Sequence, residues 1–247
     1  MIKIVISGIS GRMGTRIGAL ASQDKNIEIA GALEALSSPA IGRDIGEFIG
    51  AKKMNKKIEA DFNKIVSLGD VLIEFTCPAA TLGHLEAAVK NKKAVVIGTT
   101  GFSKDETEKI KKASGSIPVI FSPNMSIGAN LLFKVTEQVA RALGGDYEAE
   151  IIEAHHDQKK DAPSGTAKKL GEAISKVKGK MPPMHSVRLG DIVGDHTVIF
   201  AGNGERIELT HRAHSRDAFA KGALDAAKFL AGKKPGLYTM ANVIGVK

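Results

Sequence analysis

The sequence predicts a two-domain α/β protein. A Rossmann-like, doubly wound parallel sheet is expected first, joined to a second α+β domain whose sheet is mainly antiparallel. Three observations predict this. Short apolar runs alternate with helical patterns as far as about residue 121, a rhythm that gives parallel strands with helices on both faces. A glycine-rich turn, Gly8-Ile9-Ser10-Gly11-Arg12-Met13-Gly14, follows the first apolar run and opens a helical pattern. Beyond Pro123-Asn124 the pattern changes to one long helix and then several strand-like runs, with a hairpin signal at Gly202-Asn203-Gly204. The expected boundaries are 1–126 with 216–247 for a dinucleotide-binding domain, and 127–215 for a substrate-binding and oligomerisation domain.

In chain order, I-K-I-V-I at 2–6 reads as a buried strand. The helix over 12–21 sets Met13, Ile17 and Leu20 on one face. Strands are expected at 27–33, 71–75, 94–97 and 117–121. Helices at 81–89 and 103–113 lie between them, the second capped by Ser103. In the second domain 129–143 is a helix with an apolar stripe, and 147–153, 186–193, 196–201 and 205–211 are strands. A last helix over about 218–230 and the tail 236–246 are expected to return to the first domain.

Composition narrows the function classes. Of 247 residues, 43% are hydrophobic, enough for packed cores. No apolar run approaches the roughly 20 residues that span a bilayer. The opening M-I-K-I-V-I-S-G is too short for a secretory leader, so a cytoplasmic place is expected. The single cysteine, Cys77, excludes an internal disulfide and reads as a buried, inert thiol at a strand end. The net charge of +8 suits nucleic acid or anionic small molecules. With 4% aromatic residues there is little for bases to stack on, and the lysines are scattered among acids, so nucleic acid is not expected.

Glycine in the 8–14 turn allows a tight bend and close approach to a pyrophosphate, and the helix start offers N–H groups and partial positive charge. Position 10 is Ser, so the spacing is Gly-x-x-Gly-x-x-Gly, and a purely structural turn competes as an explanation. Two further features favour a dinucleotide. Glu34 ends the second strand about 20 residues past the loop, where a carboxylate accepts hydrogen bonds from a ribose diol. Gly98-Thr99-Thr100-Gly101 ends a later strand, where small and hydroxyl-bearing residues can line a cofactor crevice. The expected cofactor is NADH or NADPH. Ala35 follows Glu34, so no guanidinium stands beside it to attract a 2′-phosphate, and NADH is expected to serve at least as well.

Residues 150–167 read E-I-I-E-A-H-H-D-Q-K-K-D-A-P-S-G-T-A. Two histidines stand just past an apolar run, a lysine pair follows, and a Pro-Ser-Gly-Thr turn opens a helix. A titratable imidazole, fixed cations and backbone N–H groups together suit a small, multiply anionic substrate that is protonated during reaction. The competing explanation is a strand-end pair, one histidine on the surface and one in the core. Adjacent histidines point to opposite faces of a strand and do not readily share an ion, so no metal is expected.

This segment, with G-x-x-G-R-M-G at 8–14, G-T-T-G at 98–101 and S-P-N-M-S at 122–126, resembles the 4-hydroxy-tetrahydrodipicolinate reductase (dihydrodipicolinate reductase) family of the diaminopimelate–lysine pathway. The resemblance runs end to end. It implies hydride transfer from a nicotinamide to C4 of a dehydrated cyclic imine, with a proton added at the neighbouring carbon to give tetrahydrodipicolinate. It implies His155 and Lys159 as catalytic residues, with the roles of acid and anchor left undivided between them, and His156, Gly165 and Thr166 as substrate contacts. It implies Gly8, Ile9, Ser10, Gly11, Arg12, Met13, Glu34, Phe75, Thr76, Gly98, Thr99, Thr100, Ser122, Pro123, Asn124 and Met125 as cofactor-binding positions. Family members often carry a basic residue in the F-T-x-P segment; Cys77 stands there, so only Phe75 and Thr76 carry over. The substrate implied is a small cyclic dicarboxylate, and the assembly a homotetramer through the second domain's sheet, with no nucleic acid or membrane partner. An aspartate- or homoserine-type dehydrogenase would share the glycine loop but has no reason to carry H-H-x-x-K with P-S-G-T-A. A nucleotide-sensing module would lack the acid and the anion clamp.

Overall fold

The structure is a computed structural model that describes residues 1–246. It divides into two compact units, Met1–Met125 with Phe219–Val243, and Ser126–Ala218 with the last residues from Ile244. In the first unit β1 (Ile2–Ser7), α1 (Arg12–Ala21), β2 (Ile27–Leu33), a short α2 (Ile45–Phe48) and β3 (Ile58–Glu59) come first. They are followed by β4 (Val71–Glu74), α3 (Pro78–Lys90), β5 (Ala94–Ile97), α4 (Lys104–Ser114) and β6 (Pro118–Phe121). The second unit contains α5 (Ile127–Leu143), β7 (Glu148–His155), α6 (Gly165–Lys178), β8 (Met184–Arg188), β9 (Gly194–Ala201) and β10 (Arg206–Ala213). The chain closes with α7 (Asp217–Leu230), β11 (Gly236–Tyr238) and α8 (Met240–Val243).

The first sheet has seven parallel strands in the order β11-β6-β5-β4-β1-β2-β3. Helices cover parallel strands on both faces, which is why β4 and β5 are buried at every position. The chain runs outward from β1 to β3, then restarts at β4 on the other side of β1. That reversal opens a crevice at the carboxyl ends of β1 and β4, where ligands of such sheets bind. Ser103 caps α4 in a reciprocal capping box with Glu106, as its spacing predicts. The tail strand β11 pairs with β6 and completes this sheet.

The second sheet has four strands in the order β10-β9-β7-β8. β9 runs antiparallel to both β7 and β10, while β7 and β8 are parallel because α6 supplies the crossover between them. Ile151, Val198 and Phe200 on one sheet face pack with Leu132, Phe133 and Leu170 of the helices.

Several expectations change. The strand expected at 186–193 starts earlier and stops at Arg188, because Gly190 takes a positive φ of 54° and turns the chain before β9. The helix expected at 81–89 starts at Pro78, whose fixed φ suits the first helical turn. Cys77 is exposed rather than buried: β4 ends at Glu74, so the thiol sits in the loop that leads into α3.

Candidate active site

In the first unit the predicted cofactor residues gather at the carboxyl ends of β1, β4, β5 and β6. Gly8 has φ 79°, and a Cβ there would lie 2.4 Å from the Phe75 carbonyl oxygen; one on Gly14 would lie 2.0 Å from the Gly8 carbonyl oxygen. Both glycines are therefore dictated by backbone approaching backbone. Gly11 precedes α1 without a side-chain cap, so the N–H groups of the first turn, at Arg12 and Met13, present positive charge outward. Ile9 is fully buried and contributes only backbone to the turn surface. Glu34 is tied to this loop. Its Oε1 accepts the Ser10 N–H at 3.0 Å and the Ser10 hydroxyl at 2.6 Å, and its Oε2 accepts the Ala35 N–H at 2.8 Å.

Beneath the loop, the Phe75 ring lies where a Gly98 side chain would begin, 2.3 Å from that Cβ position. Thr76 donates its N–H to Thr99 Oγ1 at 3.0 Å, and Thr81 donates its hydroxyl to the same atom at 2.9 Å. Thr76 also donates to the fully buried Glu74, which holds His84 Nδ1 at 2.7 Å. Thr100 is exposed beside these. The 122–125 segment leaves β6 with the Ser122 N–H donated to the Ile97 carbonyl, and Ser122 Oγ donating to the Asn124 carbonyl at 2.8 Å. Ser122 and Met125 are buried and Pro123 is exposed. A tight glycine cradle, an uncapped helix start and an acceptor at the end of β2 fit a dinucleotide.

In the second unit His155 ends β7, 7% exposed, with Nδ1 2.5 Å from Glu153 Oε2. Burial pushes the His155 pKa down. The Glu153 carboxylate pulls it back up, and Lys159 and Arg188 push it down again. His156 follows the strand, half-buried, its N–H donated to the Ile192 carbonyl. Lys159 is half-buried and donates to Asp161 at 2.8 Å. Ser164 caps α6, accepting the Ala167 N–H at 3.1 Å, and its own N–H is donated to Glu153 Oε1 at 3.1 Å. Gly165 opens the helix with nothing within 4 Å of a Cβ placed on it, and Thr166 follows, half-buried. His155, Lys159 and the 164–166 turn thus belong to one assembly of strand end, loop and helix start.

The sequence singled out His155 and Lys159 but passed over the residues that support them. Glu153 is on the same strand face as His155, two positions earlier, a signal open to inspection. Arg188 stands opposite His155 in the β7–β8 register and forks onto Glu153, a pairing that a linear pattern does not display. His196, opposite Glu153 on β9, places Nε2 3.1 Å from Ser164 Oγ and is 4% exposed. Burial pushes the His196 pKa down to about 3. His211 lies next to His196 on β10, with Nε2 3.3 Å from Ser126 Oγ. Among the described residues no group of three or more His, Cys, Asp or Glu side chains is arranged to hold a metal ion, and no helix is long and apolar enough to cross a membrane.

Comparison with known proteins covers the whole chain. A family model described as dihydrodipicolinate reductase, N-terminus, matches residues 2–125, and one described as dihydrodipicolinate reductase, C-terminus, matches 128–244. The 4-hydroxy-tetrahydrodipicolinate reductase of Syntrophus aciditrophicus (strain SB) is 43% identical over 267 aligned positions, covering 100% of both chains. The protein of the same name from Aquifex aeolicus (strain VF5) is 48% identical over 265 positions, covering 99% of each. A solved dipicolinate-bound dihydrodipicolinate reductase from Paenisporosarcina sp. TG-14 matches with a TM-score of 0.82 at 26% identity, over 97% of each chain.

Proposed function

The chain belongs to the dihydrodipicolinate reductase family and is an oxidoreductase, and from that premise we propose that it reduces 4-hydroxy-tetrahydrodipicolinate to tetrahydrodipicolinate with NADH or NADPH. The observation that carries this reading is the assembly of an imidazole, an ammonium and a helix-start anion clamp around Glu153. Loss of the C4 hydroxyl as water, with a proton from the neighbouring ring carbon, leaves a conjugated imine, and a nicotinamide, when bound, would supply the hydride to C4 of that ring. The chain's residues supply binding and the proton. The glycine cradle and the first turn of α1 hold the pyrophosphate. Glu34 exchanges its Ser10 partner for a ribose diol. The N–H of Gly165 and the hydroxyl of Thr166 hold one substrate carboxylate, His156 contacts the ring, and Lys159 leaves Asp161 to meet the opposite end of the dianion. His155 gives a proton to the carbon next to C4, completing the reduction.

Ala35 gives no guanidinium to a 2′-phosphate, and the Glu34 carboxylate repels that dianion, so NADH is the cofactor used at least as well. The assembly proposed is a homotetramer closed through the open face of the second sheet. There Ile152 and Val187 are 41% and 42% exposed, and Leu189 in the next turn 63%. A biosynthetic role and one unpaired cysteine support a cytoplasmic place.

The test couples this chain to the aldol-condensing synthase that makes the substrate from pyruvate and aspartate semialdehyde, and follows nicotinamide absorbance. Oxidation should require both proteins and both precursors, with NADH at least as fast as NADPH. No oxidation of either cofactor contradicts the activity. A preference for NADPH of about tenfold or more contradicts the role of Glu34 alone.

A further inference from the structure

Glu153 is fully buried, a costly place for a carboxylate unless its lone pairs are all used. They are. Oε2 receives His155 Nδ1 at 2.5 Å and Arg188 Nη1 at 2.9 Å; Oε1 receives Arg188 Nη2 at 2.8 Å and the Ser164 N–H at 3.1 Å. Arg188 thus meets both oxygens as a fork, the geometry that best holds a carboxylate ionised. Burial raises the Glu153 pKa, but bonds from Arg188, Ser186 and His155 outweigh it and hold the group at about 2. An ionised carboxylate can only accept, so the proton of a neutral His155 sits on Nδ1 and Nε2 is left to exchange protons. Gly194 keeps that nitrogen approachable, since a Cβ there would lie 3.1 Å from Nε2.

We propose that Glu153 is the positioning residue of this site: it fixes His155 as the Nδ1–H tautomer, with Nε2 as the transfer atom, and ties that ring and the Ser164 turn of the anion clamp to one carboxylate. The proposal rests on the reading of His155 as proton donor. The charged and titratable groups packed around His155 are Glu153 on its own strand, Lys159 with its partner Asp161 on the following loop, Arg188 on β8, and His196 on β9 with His211 beyond it. Of these Glu153 favours the imidazolium, whereas Lys159 and Arg188 add to burial in disfavouring it. Without Glu153 the ring loses its proton at lower pH and its neutral tautomer is no longer fixed.

The test compares Glu153→Gln, His155→Gln and the double variant in the coupled assay, across pH. Glu153→Gln should lower kcat by about 10²-fold or more and move the high-pH loss of kcat at least about one pH unit lower, while NADH affinity stays unchanged. The double variant should show a kcat no lower than His155→Gln alone, because Glu153 acts on the proton through that ring, while its hold on the Ser164 turn shows as a rise in substrate KM. Wild-type kcat and pH profile in Glu153→Gln, or kcat losses that multiply in the double variant, overturn the proposal. Wild-type turnover in His155→Gln overturns instead the proton-donor reading beneath it. Should Glu153→Gln fail to fold, ¹⁵N-histidine spectra of the unaltered protein decide: a neutral His155 protonated at Nδ1 supports the proposal, and one protonated at Nε2 overturns it.

Discussion

At the scale of single residues, the site is a contest of charges around two cations and two carboxylates. Lys159 is held by Asp161 at 2.8 Å, an exposed carboxylate that a dianionic substrate can displace. Lys159→Ala should therefore raise the substrate KM and lower kcat, each by about tenfold or more, with NADH affinity unchanged; unaltered steady-state kinetics would leave Lys159 as a surface charge. Of the candidate site, His155, His156 and Lys159 stand out in the sequence because one short segment carries them just before a helix start. Glu153 is printed in the same segment, yet a strand glutamate reads as solvent-facing until its partner is known. That partner, Arg188, arrives through strand pairing, which is not local in sequence. Cys77 shows the opposite failure: its apolar prelude suggested burial, but the strand ends before it.

Elements place these groups, and the second sheet does so with buried histidines. His196 anchors Ser164, the cap of α6, while its Nδ1 is buried without a partner. Kept neutral in the fold by burial, its pKa falls from 6.5 to about 3. An unfolded chain protonates this ring near 6.5, so its stabilisation is complete above that pH and is lost as pH falls toward 3. Glu153 adds a loss of the same sign from about 4.5 toward about 2. The thermal midpoint should fall steadily below pH 6.5, by the equivalent of a few kcal/mol for His196. His196→Asn should flatten the decline between pH 6.5 and 4; parallel curves for the two proteins would remove His196 as its cause. The parallel strands β2 and β5 were legible to the residue, since their apolar runs are bounded sharply. β8 was not, because the chain leaves it at a positive-φ glycine that sequence marks only as one glycine among 27.

On the scale of the whole molecule, the proposed function divides the reaction between the two units. The first has a glycine cradle, fixed by backbone contacts at Gly8 and Gly14, and an acidic strand end at Glu34. The second has an imidazole and the cap of an anion clamp bound to the Glu153 carboxylate, and an ammonium held by Asp161. The net charge of +8 adds a field that draws dicarboxylates toward the chain. The family and fold class were readable from motifs and rhythm because glycine loops and apolar runs are local signals. The supporting hydrogen bonds were not, because they join strands distant in sequence. The division of labour between hydride and proton can be read in the product. Turnover of the condensation product with NADH deuterated at its transferable position should place one deuterium at C4 of tetrahydrodipicolinate, detected by NMR of the product. Deuterium at any other carbon, or product formed without loss of deuterium from the nicotinamide, would contradict hydride delivery to C4 by this chain.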